Sequence, residues 1–232
     1  MQTARHLIEK DETTLSELQQ AVSMLDRNKD KFPDDIRTPI YLARAYYRIA
    51  GREEDVDREY LAYEKVGTYA KRALEMDSHR AEAHYWHGLF LLKKAEKIGG
   101  VRAFFIVRNG IHELEAVRKS LPEYDNAGAS RILGLLFCSA PSWTPFGDID
   151  KCIQLAEESI RLAPDHPLNR LYLADAYKKG GQKEAAIREY RTLFSKASVL
   201  SENQRREFRQ EAIKGLESLG ESVSGYEAPL NN

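Results

Sequence analysis

The stretch Ser159–Leu193, SIRLAPDHPLNRLYLADAYKKGGQKEAAIREYRTL, decides the fold. It closes one helix, turns at Pro164, and then runs through a complete helix–turn–helix. Measured from Pro164, Ala174 is small, Tyr177 is large, Gly181 stops the helix, Ala186 is small and Tyr190 is aromatic. Small residues at helical spacing let two antiparallel helices approach closely, and aromatic rings fill the holes that remain. Such a hairpin cannot bury its apolar stripe alone, so neighbours must stack against it.

Sliding the pattern backward finds three more copies. Ala127–Phe137 (AGASRILGLLF) places Gly134 at the small position, and Asp148–Pro164 follows as its second helix. Ala81–Gly100 (AEAHYWHGLFLLKKAEKIGG) places Gly88 there, with a second helix near Ile111–Leu121. Pro39–Gly51 (PIYLARAYYRIAG) offers Ala43 as small and Tyr46 and Tyr47 as large, and closes with Tyr69–Ser78. The series resembles the tetratricopeptide (TPR) repeat, whose period is about 34 residues.

Only the last copy keeps that period. The first has a polar stretch, Arg52–Lys65, that reads as helix extension because Tyr60, Leu61 and Tyr63 keep helical spacing. The second inserts Gly99-Gly100 and the apolar run Val101–Val107, and the third the Pro-rich loop Ser139–Asp148. At the ends, Leu15, Leu18, Val22 and Leu25 mark one capping helix, and a Ser201–Gln204 capping box opens another. The expectation is an all-α fold, a right-handed TPR-like α-solenoid of about four hairpins (36–78, 81–122, 127–163, 167–197). Capping helices at 13–28 and 201–219 complete one domain over 1–220, followed by a loose tail at 221–232.

Composition agrees with a helical protein with wet outer faces: 42% hydrophobic and 31% charged residues. The formal net charge of −1 argues against bulk attraction to nucleic acid or to an anionic membrane, and no apolar run approaches the ~20 residues of a membrane span. Residues 1–12 lack the apolar core of a secretory signal. The chain as written reads as cytoplasmic, and as periplasmic or envelope-bound if an export signal has been removed. Cys138 and Cys152 fall on facing helices of one hairpin, where a single bridge is geometrically open to them. The pattern favours Cys152 as a small packed hydrophobe.

Between Gly128 and Leu193 the pattern narrows. Ala140-Pro141 ends a small-residue helix, Phe146-Gly147-Asp148 starts the next, and Leu173–Tyr177 reads Leu-Ala-Asp-Ala-Tyr. This order resembles the TatT family, the TPR-built T-components associated with TRAP-type solute transporters. Eukaryotic regulators of microtubule dynamics have a similar TPR-like arrangement. The TatT resemblance implies an accessory role in solute uptake, export with a lipid anchor, and homo-oligomeric assembly. The chain departs from that pattern in showing no lipid-accepting Cys near Met1.

Candidate chemistry is sparse. His84 and His87 stand three apart on one helix with His79 nearby, a spacing that could direct two imidazoles at one metal. No HExxH motif or Cys pair supplies further ligands, so packing is the favoured reading and no metal or cofactor is implied. Glu53-Glu54 and Glu157-Glu158 diverge around their helices and make poor acid–base dyads. No phosphate loop or nucleophile elbow appears, so the chain reads as non-enzymatic.

The concave groove of a TPR array is lined by the first helix of each hairpin. The predicted lining is Arg37, Ile40, Arg44 and Tyr47 from the first copy, and Tyr85, Leu89 and Leu92 from the second. Arg131 and Leu135 follow from the third, with Leu168, Leu171 and Asp175 from the last. Arginine mixed with aromatic and aliphatic surface suits an acidic or amphipathic guest. Phe104, Phe105, Trp143 and Phe146 in the insertions are further partner-contact candidates, with Trp143 expected to fold back on the solenoid. The expected function is a scaffold binding a protein or peptide in its groove, with a transporter-accessory role implied by the resemblance. The alternative is a binder of a small hydrophobic or anionic solute in an enclosed cavity or oligomeric pore.

Overall fold

The structure is a computed structural model and describes residues 1–10, 12–196 and 202–224. The described residues form eleven α-helices and no strands, in two compact units, Met1–Leu121 and Pro122–Asn232. The sequence pattern predicts one domain over 1–220.

The first unit contains α1 (Gln2–Glu9), α2 (Leu15–Lys31), α3 (Arg37–Ala50), α4 (Val56–Met76), α5 (Ala81–Ile98) and α6 (Gly100–Ser120). Helices α3/α4 and α5/α6 are the two hairpins, with α4 packed on α5 and α2 on α3. Helix starts follow local chemistry. Thr14 and Glu17 form a reciprocal capping box on α2, and Asp55 accepts the Arg58 amide to cap α4. Capping at Asp55 makes Val56 the start of the extended helix expected in the first insertion. Tyr47 then packs against Tyr63 and Trp86, a ring cluster that joins α3, α4 and α5.

Helix α1 lies outside the elements that the sequence pattern predicts. Ala4 and Ile8 are fully buried, and α1 lies against α2 and α3. Arg44, Arg48 and Arg52, spaced four apart, hold it and the turn that follows. Arg44 pairs with Glu9 at 3.2 Å, Arg48 donates to the Ile8 carbonyl, and Arg52 donates to the Thr13 carbonyl at 2.9 Å.

The second unit contains α7 (Tyr124–Ser139), α8 (Ile149–Leu162), α9 (Pro167–Lys179), α10 (Lys183–Lys196) and α11 (Glu202–Ser218). Pairs α7/α8 and α9/α10 are hairpins, and α11 packs on α9 and α10. Leu171, Ala174, Tyr190, Phe208 and Leu216 share the core joining these last three helices. The expected Ser201 cap and most of the C-terminal tail lie outside the described residues.

One close approach tests the packing logic. A methyl group added to Gly67 in α4 would collide with the Phe90 ring of α5. In an open helix interior Gly→Ala is stabilising by about 1 kcal/mol. At this contact overpacking of about 1–3 kcal/mol outweighs that gain. Gly67→Ala is therefore expected to lower the midpoint of urea unfolding; a raised midpoint would contradict the contact.

Candidate functional site: the groove of the second unit

A cavity of about 590 Å3 lies between helices of the second unit. Helix α7 contributes Arg131, Leu135 and Cys138, which share one helical face. Helix α9 contributes Tyr172, Asp175 and the Lys178/Lys179 pair on its own inner face, and Glu211 of α11 closes one side. Gly134 admits α8 behind this wall, where an added Cβ would sit 3.4 Å from the Cys152 carbonyl oxygen. Apolar surface is thus combined with both signs of charge. Lys178 stands 3.8 Å from Asp175, Lys179 donates to the Cys138 carbonyl, and Glu211 pairs with Lys214 at 2.6 Å. Burial pushes the Tyr172 phenol up, with the positive charge of Arg131 acting in the opposite direction. The Tyr172 hydroxyl is thus a donor at neutral pH.

Arg131 has a second task. Only 7% exposed, it donates to the Asn126 carbonyl and to Asn169 Oδ1, both at 2.9 Å, and to the Asp125 carbonyl at 3.1 Å. Asn169, fully buried, donates to the carbonyls of Asn126, Ser159 and Ala163. These bonds surround a left-handed turn at Asp125, Asn126 and Ala127, with φ of 52°, 55° and 61°. Asp and Asn tolerate that region, whereas Ala at such an angle costs about 1–2 kcal/mol. The guanidinium and the Asn169 amide hold the turn that begins α7. Sequence reasoning missed Asn169 and this turn; the Asp125-Asn126 dipeptide was the available signal.

Cys138 and Cys152 form a disulfide across 14 residues of sequence. This corrects the expectation that Cys152 serves as a small hydrophobe alone: it is both buried and bridged. The bond ties α7 to α8 around the loop between them, and both cysteines line the cavity. Trp143 in that loop is 86% exposed and does not fold back, contrary to expectation, whereas Phe146 is half-buried.

The other predicted lining residues are placed as follows. In the second unit Leu135 is 39% exposed and faces the cavity beside Asp175, while Leu168 and Leu171 belong to the core. In the first unit Ile40, Tyr85 and Leu89 are buried packing residues, Leu92 is half-buried, and Tyr47 belongs to the ring cluster. Arg44 is engaged by α1, and exposed Arg37 pairs with Asp35 at 2.8 Å.

His84 and His87 turn to a single carboxylate rather than to each other. His84 Nδ1 contacts Glu113 of α6, and His87 Nδ1 lies 3.0 Å from its other oxygen. His84 Nε2 is 2.9 Å from the Ser78 carbonyl, while His79 is exposed. No group of three or more His, Cys, Asp or Glu among the described residues is arranged to hold a metal. Burial raises the Glu113 carboxyl, but the hydrogen bonds from His87 and His84 outweigh it and hold it below its ordinary range.

The architecture is that of the TPR-like helical proteins. TTC0263, a thermophilic TPR protein of Thermus thermophilus, superposes with a TM-score of 0.66 at 14% identity, covering 88% of this chain and 92% of that one. MamA gives a TM-score of 0.51 at 18% identity over 100% and 99% of the two chains. Both likenesses concern the fold alone. Residues 1–103 match the family described as Regulator of microtubule dynamics protein 1-3, which is less than half of the chain. No curated protein matches in sequence.

Two outcomes follow from this geometry. Glu113 is held low in the folded state, so its contribution is full above the ordinary value of 4.5 and is lost as pH falls through the folded-state value. Urea melts across that acid window should show a smaller loss of stability for Glu113→Gln than for the parent; equal slopes would count against the clamp. Reduction of Cys138–Cys152 should lower stability by about 3 kcal/mol, as loop closure of this length implies. Denaturation with and without a reductant measures it.

Proposed function

We propose that the chain is a non-catalytic scaffold that binds an extended peptide or protein segment in the groove of its second unit. The observation that carries this reading is the cavity of about 590 Å3 between α7, α9 and α11, where apolar Leu135 lies among Lys178, Lys179, Asp175 and Glu211. An extended segment has backbone donors and acceptors for such polar walls and side chains for an apolar floor. Arg131 lines the groove but is committed to the turn beneath it. Specificity therefore rests on Leu135, Tyr172 and the two lysines.

The finer role, an accessory component of a TRAP-type solute transport system, rests on the resemblance across residues 128–193. The disulfide supports it, because structural bridges persist in oxidising compartments such as the periplasm. A second reading, binding of a small solute, is favoured by the cavity's volume, which falls within the range of small-molecule sites.

Peptides selected from a random displayed library provide the test. Leu135→Asp and Lys178→Glu, both at partly exposed positions, should each weaken the selected peptides about tenfold, the scale of one lost anchor contact. Binders indifferent to both changes would refute the groove. Native mass spectrometry showing a co-purified small molecule displaced by Leu135→Asp would favour the solute reading instead.

A further inference from the structure

The α5/α6 hairpin ends in a surface that the rest of the first unit does not cover. Within α6 the buried residues, Gly110, Leu114 and Val117, all fall in its second half, and none of residues 100–109 is buried. Yet Val101, Phe104 and Phe105 stand at i, i+3 and i+4, the spacing of a stripe that ordinarily faces a core. Val101 is 80% exposed and Phe105 55% exposed, and the Phe104 and Phe105 rings pack edge to face on each other. Ile98, at the end of α5, is exposed beside them. Gly99 and Gly100, with φ of 66° and 62°, make the tight turn that sets these side chains at the tip.

The hairpin's own charge at the tip is mainly basic, with the α4 carboxylates of Asp57 and Glu59 beside its α5 end. Lys93 to Arg108 contains five basic side chains against the carboxylate of Glu96. Lys93 pairs with Glu96, and Lys97 pairs with Asp57 of α4. Lys94, Arg102 and Arg108 make no ion pair among the described residues; Lys94 lies over the Phe90 ring. Lys94, Arg102 and Arg108 thus leave a local cationic excess beside the apolar apex, within a chain whose net charge is −1.

We propose that this tip docks on an anionic membrane surface, with Val101 and Phe105 entering the acyl boundary and Arg102 and Arg108 meeting lipid headgroups. An aliphatic and aromatic apex flanked by two arginines matches the interfacial layer, where apolar surface leaves water and cations find phosphate. The tip sits at the end of a hairpin, so it suits a surface better than an extended peptide, which requires a groove. The docking needs no transmembrane segment, and no described helix is long and apolar enough to be one. It is also independent of the groove in the second unit.

Vesicle flotation of the full chain tests this, with phosphatidylcholine alone and with about 30 mol% phosphatidylglycerol as the anionic surface. The parent chain should float with the anionic vesicles at low salt, and both high salt and neutral vesicles should weaken its binding about tenfold or more. Arg102→Gln and Arg108→Gln should each lower partitioning about fivefold. The pair Val101→Asp and Phe105→Asp should abolish it, with an unchanged thermal melt because these side chains are exposed. Trp143→Asp, an equally exposed aromatic outside the tip, should have no effect. Absence of flotation on anionic vesicles, or flotation that survives Val101→Asp with Phe105→Asp, would overturn the proposal. So would a soluble acidic protein that binds the tip while vesicles do not.

Discussion

Everything in each unit depends on how closely its helices approach. Where Gly67 meets the Phe90 ring and Gly215 meets the Tyr190 ring, even one methyl group would not fit. These are contacts between a hairpin and the element that follows it, and they show that the apolar flank of each hairpin must be covered by its neighbour. The same demand recruits α1, whose Ala4 and Ile8 are buried and whose Glu9 pairs with Arg44. It also recruits α11, whose Phe208, Ala212 and Leu216 complete the core behind Tyr190. The tip of α5/α6 is where this demand goes unmet, so its exposed stripe stands out against the rest of the unit.

Tight packing also changes what an arginine can do. At Arg131 the guanidinium spans Asp125, Asn126 and Asn169, and its burial is tolerable because its donors face carbonyl or side-chain oxygens. It lines the cavity while serving as the latch of the turn at the start of α7. Arg44 and Arg48 show the same economy on α3, where both hold α1. All three arginines therefore spend their charge within the chain. At the tip of the α5/α6 hairpin, by contrast, Lys94, Arg102 and Arg108 have no carboxylate partner among the described residues.

The hairpins were legible because their signals are periodic and local: Gly134 and Ala174 at small positions, Asp148 as a helix cap, Gly180-Gly181 as a stop. That part of the apolar run Val101–Val107 stays exposed was legible too, since the four consecutive apolar residues Phe104–Val107 exceed one helical face. The short helix α1 was not, because eight residues carry too little periodicity to separate them from a loop. Nor was the distinction between groove and core at Tyr85, Leu89 and Leu171, whose spacing fits either, and only the neighbouring helices decide. Glu113 was missed because its meaning depends on His84 and His87, which lie on another helix. The disulfide was open to the sequence only as geometry, since a buried small position and a bridged one have the same residue.

Two of the three departures from the strict repeat now have distinct physical characters. The loop between α7 and α8 is tethered at its base by Cys138–Cys152, yet it presents Trp143 to solvent. The first half of α6 has regular helical hydrogen bonding but lacks burial. Helix formation and core formation separate there, because backbone bonds are satisfied within the helix while side chains such as Val101 and Phe105 stay largely exposed. A strand could not be left in that condition without unpaired backbone groups, but a helix can. An α-helical repeat can therefore extend one hairpin beyond its neighbours and hold an apolar surface in the open at little structural cost. That freedom lets a scaffold acquire a second contact surface without altering its groove.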